Sequence, residues 1–314
     1  MSDASLHIVT YHYVRDLPRT PFPRIKGMLL SDFEKQVDQL RGAYEMATLD
    51  SAVAFLNGTY QPSRNLCLLT FDDGLKEHFA EVTPLLHERG VQGIFHVITG
   101  CLEERRTAPV HMNHFLMAKL DFKKYKQSFF SEMEELTGEA AEMPVFDPEV
   151  VRNTYSLDTQ PIAEFKYFFN FILESGLRDR VVTRMFETHL GDPASFSDGL
   201  YLNWSEAKQM QAAGMVIGGH THEHRPLATL PEEQLEVDTK LCRDLLRKRL
   251  GEQPLWPFCY PYGRQNSFNP AAVRSVQREG FDCAFTTVTG LNQPGTDLYR
   301  IHRVDCNQAW ISQA

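Results

Sequence analysis

Residues Leu68 to Gly74 read Leu-Leu-Thr-Phe-Asp-Asp-Gly, an apolar run of strand length that stops at two adjacent carboxylates and a glycine. Adjacent residues leaving a strand end point in different directions, so Asp72 and Asp73 can take different tasks. One could hold a metal while the other manages a proton. The same residues also make a plain Asp-Asp-Gly turn in which the carboxylates cap backbone N–H groups. What separates these readings lies far along the chain.

That second stretch is Met215 to Leu227, Met-Val-Ile-Gly-Gly-His-Thr-His-Glu-His-Arg-Pro-Leu. Again an apolar run ends in glycines and spills ligand-type side chains. His220 and His224 are four apart, so one helical turn or a tight loop puts both imidazoles on one side. Two histidines with one carboxylate make a facial set that leaves open positions on a divalent metal, as catalysis requires. The bland alternative is a solvated His-rich loop.

Together, Thr70-Phe71-Asp72-Asp73-Gly74 and His220-Thr221-His222-Glu223-His224 resemble the first two motifs of the polysaccharide deacetylases, carbohydrate esterase family four with its NodB-homology domain. Tyr260-Pro261-Tyr262-Gly263 is similar to that family's Pro-Tyr-Gly loop, and Trp204-Ser205-Glu206 through Gly214 to the helix leading into its His motif. The resemblance runs from about His7 to Val304, apart from a long insertion. It implies an α/β fold, a distorted (β/α)7 TIM-like barrel with a helical insertion. It further implies a divalent metal on Asp73, His220 and His224, zinc first, with Co2+, Ni2+ or Mn2+ as substitutes. Asp72 would be the base, and the backbone N–H of Tyr262 would face the developing oxyanion.

Two departures follow. The family usually takes its acid from a late Leu-x-His motif, whereas this chain has Ile301-His302-Arg303-Val304. Alternation puts His302 and Arg303 on opposite faces, so only one readily enters the barrel. The family's third motif commonly carries an Arg that orients the base. Here no Arg occurs between Trp256 and Gly263, and Cys259 stands near that place. Arg303 or Arg300 is the substitute, and His12 or His222 competes with His302 for the acid.

With 314 residues the chain can build one large barrel domain or two ordinary ones. A net charge of −9 without a basic stripe argues against nucleic acid as a partner. No apolar run is long enough for stable membrane insertion. Met1 to Ser5 lacks the pattern of an export signal, and the six cysteines follow no framework spacing, so a reduced, cytoplasmic protein is expected.

Strands are expected at His7–Val14, Gln92–Thr99, Leu255–Tyr260, Phe281–Thr287 and Leu298–Asp305, besides the two motif runs; about seven β elements result. Helices are expected from Ser31, capped by Ser31 and Glu34, at Leu49–Leu56, Glu77–Arg89, from Ser205 to Gly214, from Pro231 with Leu235, Leu241, Leu245 and Leu250 inward, and at Pro270–Arg278. Residues 102–199 read as a mainly helical insertion, with segments near His114–Leu136 and Ile162–His189. It could cap the barrel face, extend the core or mediate dimerisation. In a parallel barrel the C-terminal strand ends converge on one face, so the motif residues can meet there.

The activity the resemblance implies is hydrolysis of an N-acetyl group on a sugar, and the expected cytoplasmic location makes that sugar an intermediate of surface polysaccharide biosynthesis. His220-Thr221-His222 also contains the His-x-His pair of other barrel metallohydrolases acting on C–N bonds, although those place it on an early strand and often add a bridging Lys. A non-catalytic carbohydrate-binding relative is the other alternative, which loss of a ligand or of Asp72 would favour. The expected partner is an N-acetylated sugar or glycan, and association into a homo-oligomer is left open.

Overall fold

The structure is a computed structural model that describes residues 4–310, so most of the stretch read for an export signal, Met1 to Asp3, lies outside the described residues. The chain divides into two compact units: one holds the residues up to Leu17, Lys26–Glu104 and those from Leu200 on, the other Pro18–Ile25 and Arg105–Gly199.

The first unit is a curled parallel sheet. Its strands are β1 (Leu6–Tyr11), β2 (Leu66–Phe71), β3 (Gly93–Val97), β4 (Val216–Gly219), β5 (Pro257–Cys259), β6 (Cys283–Phe285) and β7 (Val304–Asp305), in the spatial order β7-β1-β2-β3-β4-β5-β6. A parallel bridge between Phe285 and Ile301, just ahead of β7, joins the two ends of that path. The short Glu45–Met46 adds to β2. This bears out the distorted (β/α)7 barrel.

Strand periodicity sorts the side chains. Leu6 and Ile8, Leu66 and Leu68, Ile94, Cys259, Cys283, Phe285 and Ile301 share one cluster with Leu49, Ala52, Phe55 and Leu56 of the helix Leu49–Leu56. The same parity continues to Thr10, Asp72, His96 and Arg303, which meet one another through Asp72. The lumen is thus apolar towards the strand starts and polar at the strand ends. On the opposite parity Tyr11, Phe71 and Phe95 stack in a row, at 5.0 and 4.7 Å between centroids, with Phe33 of the helix Leu30–Ala43 packed edge-on.

Several boundaries differ from the sequence reading. β1 stops at Tyr11, and Val14–Arg15 instead pairs with Met28–Leu29. The chain enters the next helix directly from that ladder, so the helix starts at Leu30 with Leu29 as its cap and Ser31 lies inside the first turn. Asn203, not Ser205, caps Trp204–Ala212, through a capping box with Glu206. The Glu77–Arg89 helix is a π-turn, His78–Val82, running into Thr83–Glu88. In Glu232–Arg249, Leu241 is exposed.

The second unit is helical, with Pro109–Lys119, Phe122–Thr137, Pro148–Thr154, Gln160–Tyr167 and Ser175–Leu190. Its core is aromatic: Phe115, Tyr125, Phe129, Phe165, Phe169 and Phe186 are fully buried, and Tyr125 donates its hydroxyl to Asn113 Oδ1. Asp121 caps the second of these helices.

Close approach of strands fixes one glycine. A Cβ on Gly218 would lie 2.6 Å from the Pro257 carbonyl oxygen, whereas one on Gly42 in the helix Leu30–Ala43 meets nothing within 4 Å. Gly218→Ala should cost about 1–3 kcal/mol as an overpacked site, and Gly42→Ala should gain roughly 0.5–1 kcal/mol. Urea denaturation reads both as midpoint shifts of opposite sign; equal shifts would contradict this packing.

Candidate active site

Asp73 leaves β2 in the left-handed region, at φ 77°, and Gly74 follows at φ 65°. The turn throws the Asp73 carboxylate away from the strand parity that Asp72 keeps. Beyond β4 the chain is pinned from several sides. Asp238 of Glu232–Arg249 accepts the backbone N–H groups of His222 and Glu223, both at 2.9 Å, and Thr221 Oγ1 accepts that of His224. Thr221 and His224 are themselves left-handed. As a result His220 Nε2 and His224 Nε2 stand 3.5 and 3.3 Å from the same oxygen, Asp73 Oδ1.

All three residues are buried, and one ligand atom from each lies within 4.8 Å of the others. The His220 Nδ1–H donates to the Cys259 carbonyl at 2.8 Å, which fixes the tautomer and leaves Nε2 as a lone-pair donor. Two imidazole nitrogens and one carboxylate oxygen, converging in a buried site, are the donor chemistry a divalent cation takes. The set fits such an ion.

Asp72 is 1% exposed and is held on every side. Arg303 grips it bidentately, Nη1 to Oδ1 at 2.9 Å and Nη2 to Oδ2 at 2.7 Å. His96 Nδ1–H donates to Oδ1 at 3.0 Å, and Thr10 and the Cys259 thiol reach Oδ2 at longer range. Burial alone would raise this carboxyl, but the Arg303 charge and the His96 hydrogen bond hold it well below the usual range. It is therefore an ionised acceptor at neutral pH. Arg303 is fully buried and also donates to the Thr286 carbonyl, Thr70 Oγ1 and Cys259 Sγ. The remaining cluster of Asp72, His96 and Cys259 also has metal-ligand spacing, yet the guanidinium already occupies it.

The other candidates separate. Arg300 pairs with Asp297 near the surface, so Arg303 is the guanidinium on Asp72. His12 keeps a half-exposed side chain with Nε2 3.8 Å from Asp72 Oδ2. His222 is buried between Thr99 Oγ1 and Glu104 Oε1. Tyr262, at φ 64°, sets its ring 5.3 Å from that of His224. His302 takes the face opposite Arg303 and lines a separate cavity with Gln265, Phe268 and Arg300. The sequence reading passed over His96, Asp238 and Thr10. His96 carried a signal, a polar residue at the lumen parity of an otherwise apolar strand.

The polysaccharide deacetylase family model matches residues 180–284, which bears out the resemblance read from the motifs and supports carbohydrate de-N-acetylation. The fold is shared with the Streptococcus pyogenes deacetylase PplD in complex with acetate, at TM-score 0.59 and 16% identity over 97% of this chain and 93% of that one. It is also shared with IcaB from Ammonifex degensii, at 0.58 and 21% over 96% and 91%, and with the BpsB deacetylase domain from Bordetella bronchiseptica, at 0.55 and 16% over 96% and 95%. No curated protein matches the chain.

Two buried histidines set an acid limit on stability. Burial pushes both His96 and His78 down to about 4. The unfolded chain takes up protons near pH 6.5 while the folded one does not, so this stability is present above that value and is lost as pH falls towards about 4. Each group carries at most roughly 3 kcal/mol of that slope. Chemical denaturation between pH 7 and 4.5 should show it, and His96→Gln, which keeps a donor for Asp72, should flatten it. An unchanged slope in His96→Gln would contradict the assignment.

Proposed function

We propose that this chain is a metal-dependent carbohydrate N-deacetylase. The observation that carries the reading is the pairing of a buried Asp-His-His donor set with a neighbouring carboxylate locked by Arg303. Asp73, His220 and His224 would hold the cation, zinc first. A divalent ion held there would supply Lewis-acid chemistry, lowering the pKa of a water and polarising a carbonyl oxygen.

The chain's own groups do the rest. Asp72, ionised and fixed by Arg303 and His96, accepts the proton of the attacking water. The backbone N–H of Tyr262 would face the oxygen that gains charge as the carbon becomes tetrahedral. A leaving amine needs a proton, and we assign its delivery to His12, whose half-exposed imidazole places Nε2 3.8 Å from Asp72 Oδ2. His302 lies on the other face of the last strand segment. The relative from Streptococcus pyogenes was solved with acetate, the product such a reaction releases.

For substrate we propose an N-acetylated sugar that is an intermediate of surface polysaccharide biosynthesis. All six cysteines are buried and none is in a disulfide, which supports a reducing compartment. No helix among the described residues is long and apolar enough to cross a membrane.

Elemental analysis should find one divalent metal in the parent protein, lost from Asp73→Ala and His224→Ala; full occupancy in both variants overturns the ligand set. Asp72→Asn should keep the metal and lose turnover by about 10²–10⁴. Acetate release from nucleotide-linked, lipid-linked and oligomeric N-acetyl sugars tests the activity. His12→Gln should slow amide hydrolysis while sparing 4-nitrophenyl acetate, whose leaving group needs no proton; equal losses on both would move the acid elsewhere.

A further inference from the structure

His78 is fully buried, and its ring packs against those of Phe71 and Phe95, each at 5.6 Å between centroids. An apolar side chain would serve that packing as well. The imidazole instead spends both of its nitrogens on backbone groups. Leu75 N–H donates to Nδ1 at 3.2 Å, and Nε2–H donates to the His12 carbonyl at 2.8 Å. A donor on one nitrogen and an acceptor on the other admit one arrangement, the neutral ring with its proton on Nε2.

The two partners belong to different parts of the site. Leu75 lies two residues beyond Asp73, in the loop whose Gly74 carbonyl accepts Leu202 N–H at 2.9 Å. His12 stands in the gap between β1 and Val14–Arg15. One ring therefore ties the backbone of the acid to the loop of the carboxylate ligand. His78 is itself well fixed, as the first residue of the π-turn His78–Val82. Its N–H donates to the Leu75 carbonyl at 3.0 Å, and its carbonyl accepts the Thr83 hydroxyl at 2.7 Å. Turns of this kind recur at functional sites. On either side of His12 the same loop holds the chain again. Asp72 N–H donates to the Tyr11 carbonyl at 2.9 Å, and Arg15 Nε donates to Glu77 Oε1 at 2.7 Å. Residues 11 to 15 are thus gripped at three points, each time by a residue between Asp72 and His78. That grip matters because the His12 side chain is 44% exposed, so packing does little to place its ring.

We propose that His78 is a positioning residue for His12, fixing the acid's backbone to the loop that carries Asp73. The inference rests on the deacetylase reading and on His12 as its acid. It goes beyond them in placing the reach of the acid under a buried side chain that touches neither the substrate nor the reacting atoms. With the His12 carbonyl released, the half-exposed ring drifts from its place, and a misplacement of roughly 1 Å costs about 10²-fold in rate.

The test uses the whole protein with two variants. His78→Phe keeps the ring contacts and removes both hydrogen bonds, whereas His78→Gln retains an amide donor for the His12 carbonyl. On an N-acetylglucosamine tetramer, His78→Phe should lower kcat by about 10²-fold with KM held, and His78→Gln should recover most of that loss. The loss should be smaller on 4-nitrophenyl acetate, whose leaving group needs no proton. In a His12→Gln background His78→Phe should add little, because both changes act on one proton transfer. Hydrogen exchange read by mass spectrometry should quicken over residues 11–15 in His78→Phe and not in His78→Gln. Equal losses on tetramer and ester overturn the proposal, and so do additive losses in the double variant or exchange that His78→Phe leaves unchanged. If the parent releases acetate from no sugar while exchange over residues 11–15 quickens in His78→Phe alone, the tie between His78 and His12 stands and the deacetylase reading falls.

Discussion

A carboxylate buried in a barrel lumen is tolerable only with its charge answered, and here the answer is Arg303. The guanidinium spends its donors on three strand ends: Thr70 and Asp72 at the end of β2, Thr286 beyond β6, and the Cys259 thiol on β5. β7 is only two residues long and has little ladder of its own. The barrel therefore closes through a side chain as much as through backbone pairing, and the closure and the poise of the base are one interaction. Removing one partner of such a buried pair typically costs about 3–5 kcal/mol, since the other is left without a counter-charge.

The neighbouring carboxylates acquire different chemistry from a single backbone feature. Asp72 continues the lumen parity of β2 and sinks among cations and donors. Asp73, one residue on, adopts φ 77° and comes out beside two imidazoles. Among the described residues, the non-glycine positions with positive φ are Asp73, Arg105, Thr221, His224 and Tyr262, and all but Arg105 stand in the motif loops. Strain of this kind persists where surrounding bonds over-determine it, as Asp238 and Thr221 do for the histidine loop.

The motif residues were legible in the sequence because they sit at abrupt ends of apolar runs, where ligand-type side chains have no packing reason to be. The barrel followed from strand and helix runs in alternation. What was not legible depended on partners remote in the chain. Ser31 had the local chemistry of a cap, but the ladder between Val14 and Met28 set where that helix began. Asp238 stands in no motif, and only the fold brings its carboxylate under two N–H groups, those of residues 222 and 223. Arg303 against Arg300 was undecidable from composition alone. Strand parity separated Arg303 from His302, and only the closing register decided which of them entered the lumen.

Cys259 sits between Arg303 and Asp72, and burial pushes its thiol up. Such a sulfur is inert while the barrel is shut, because alkylating reagents need a solvated thiolate. Its rate of labelling would therefore clock the opening of the strand ends around the base, residue by residue against the five other covered thiols. The chain thus contains an internal stopwatch for barrel breathing, needing neither probe nor label to be engineered in.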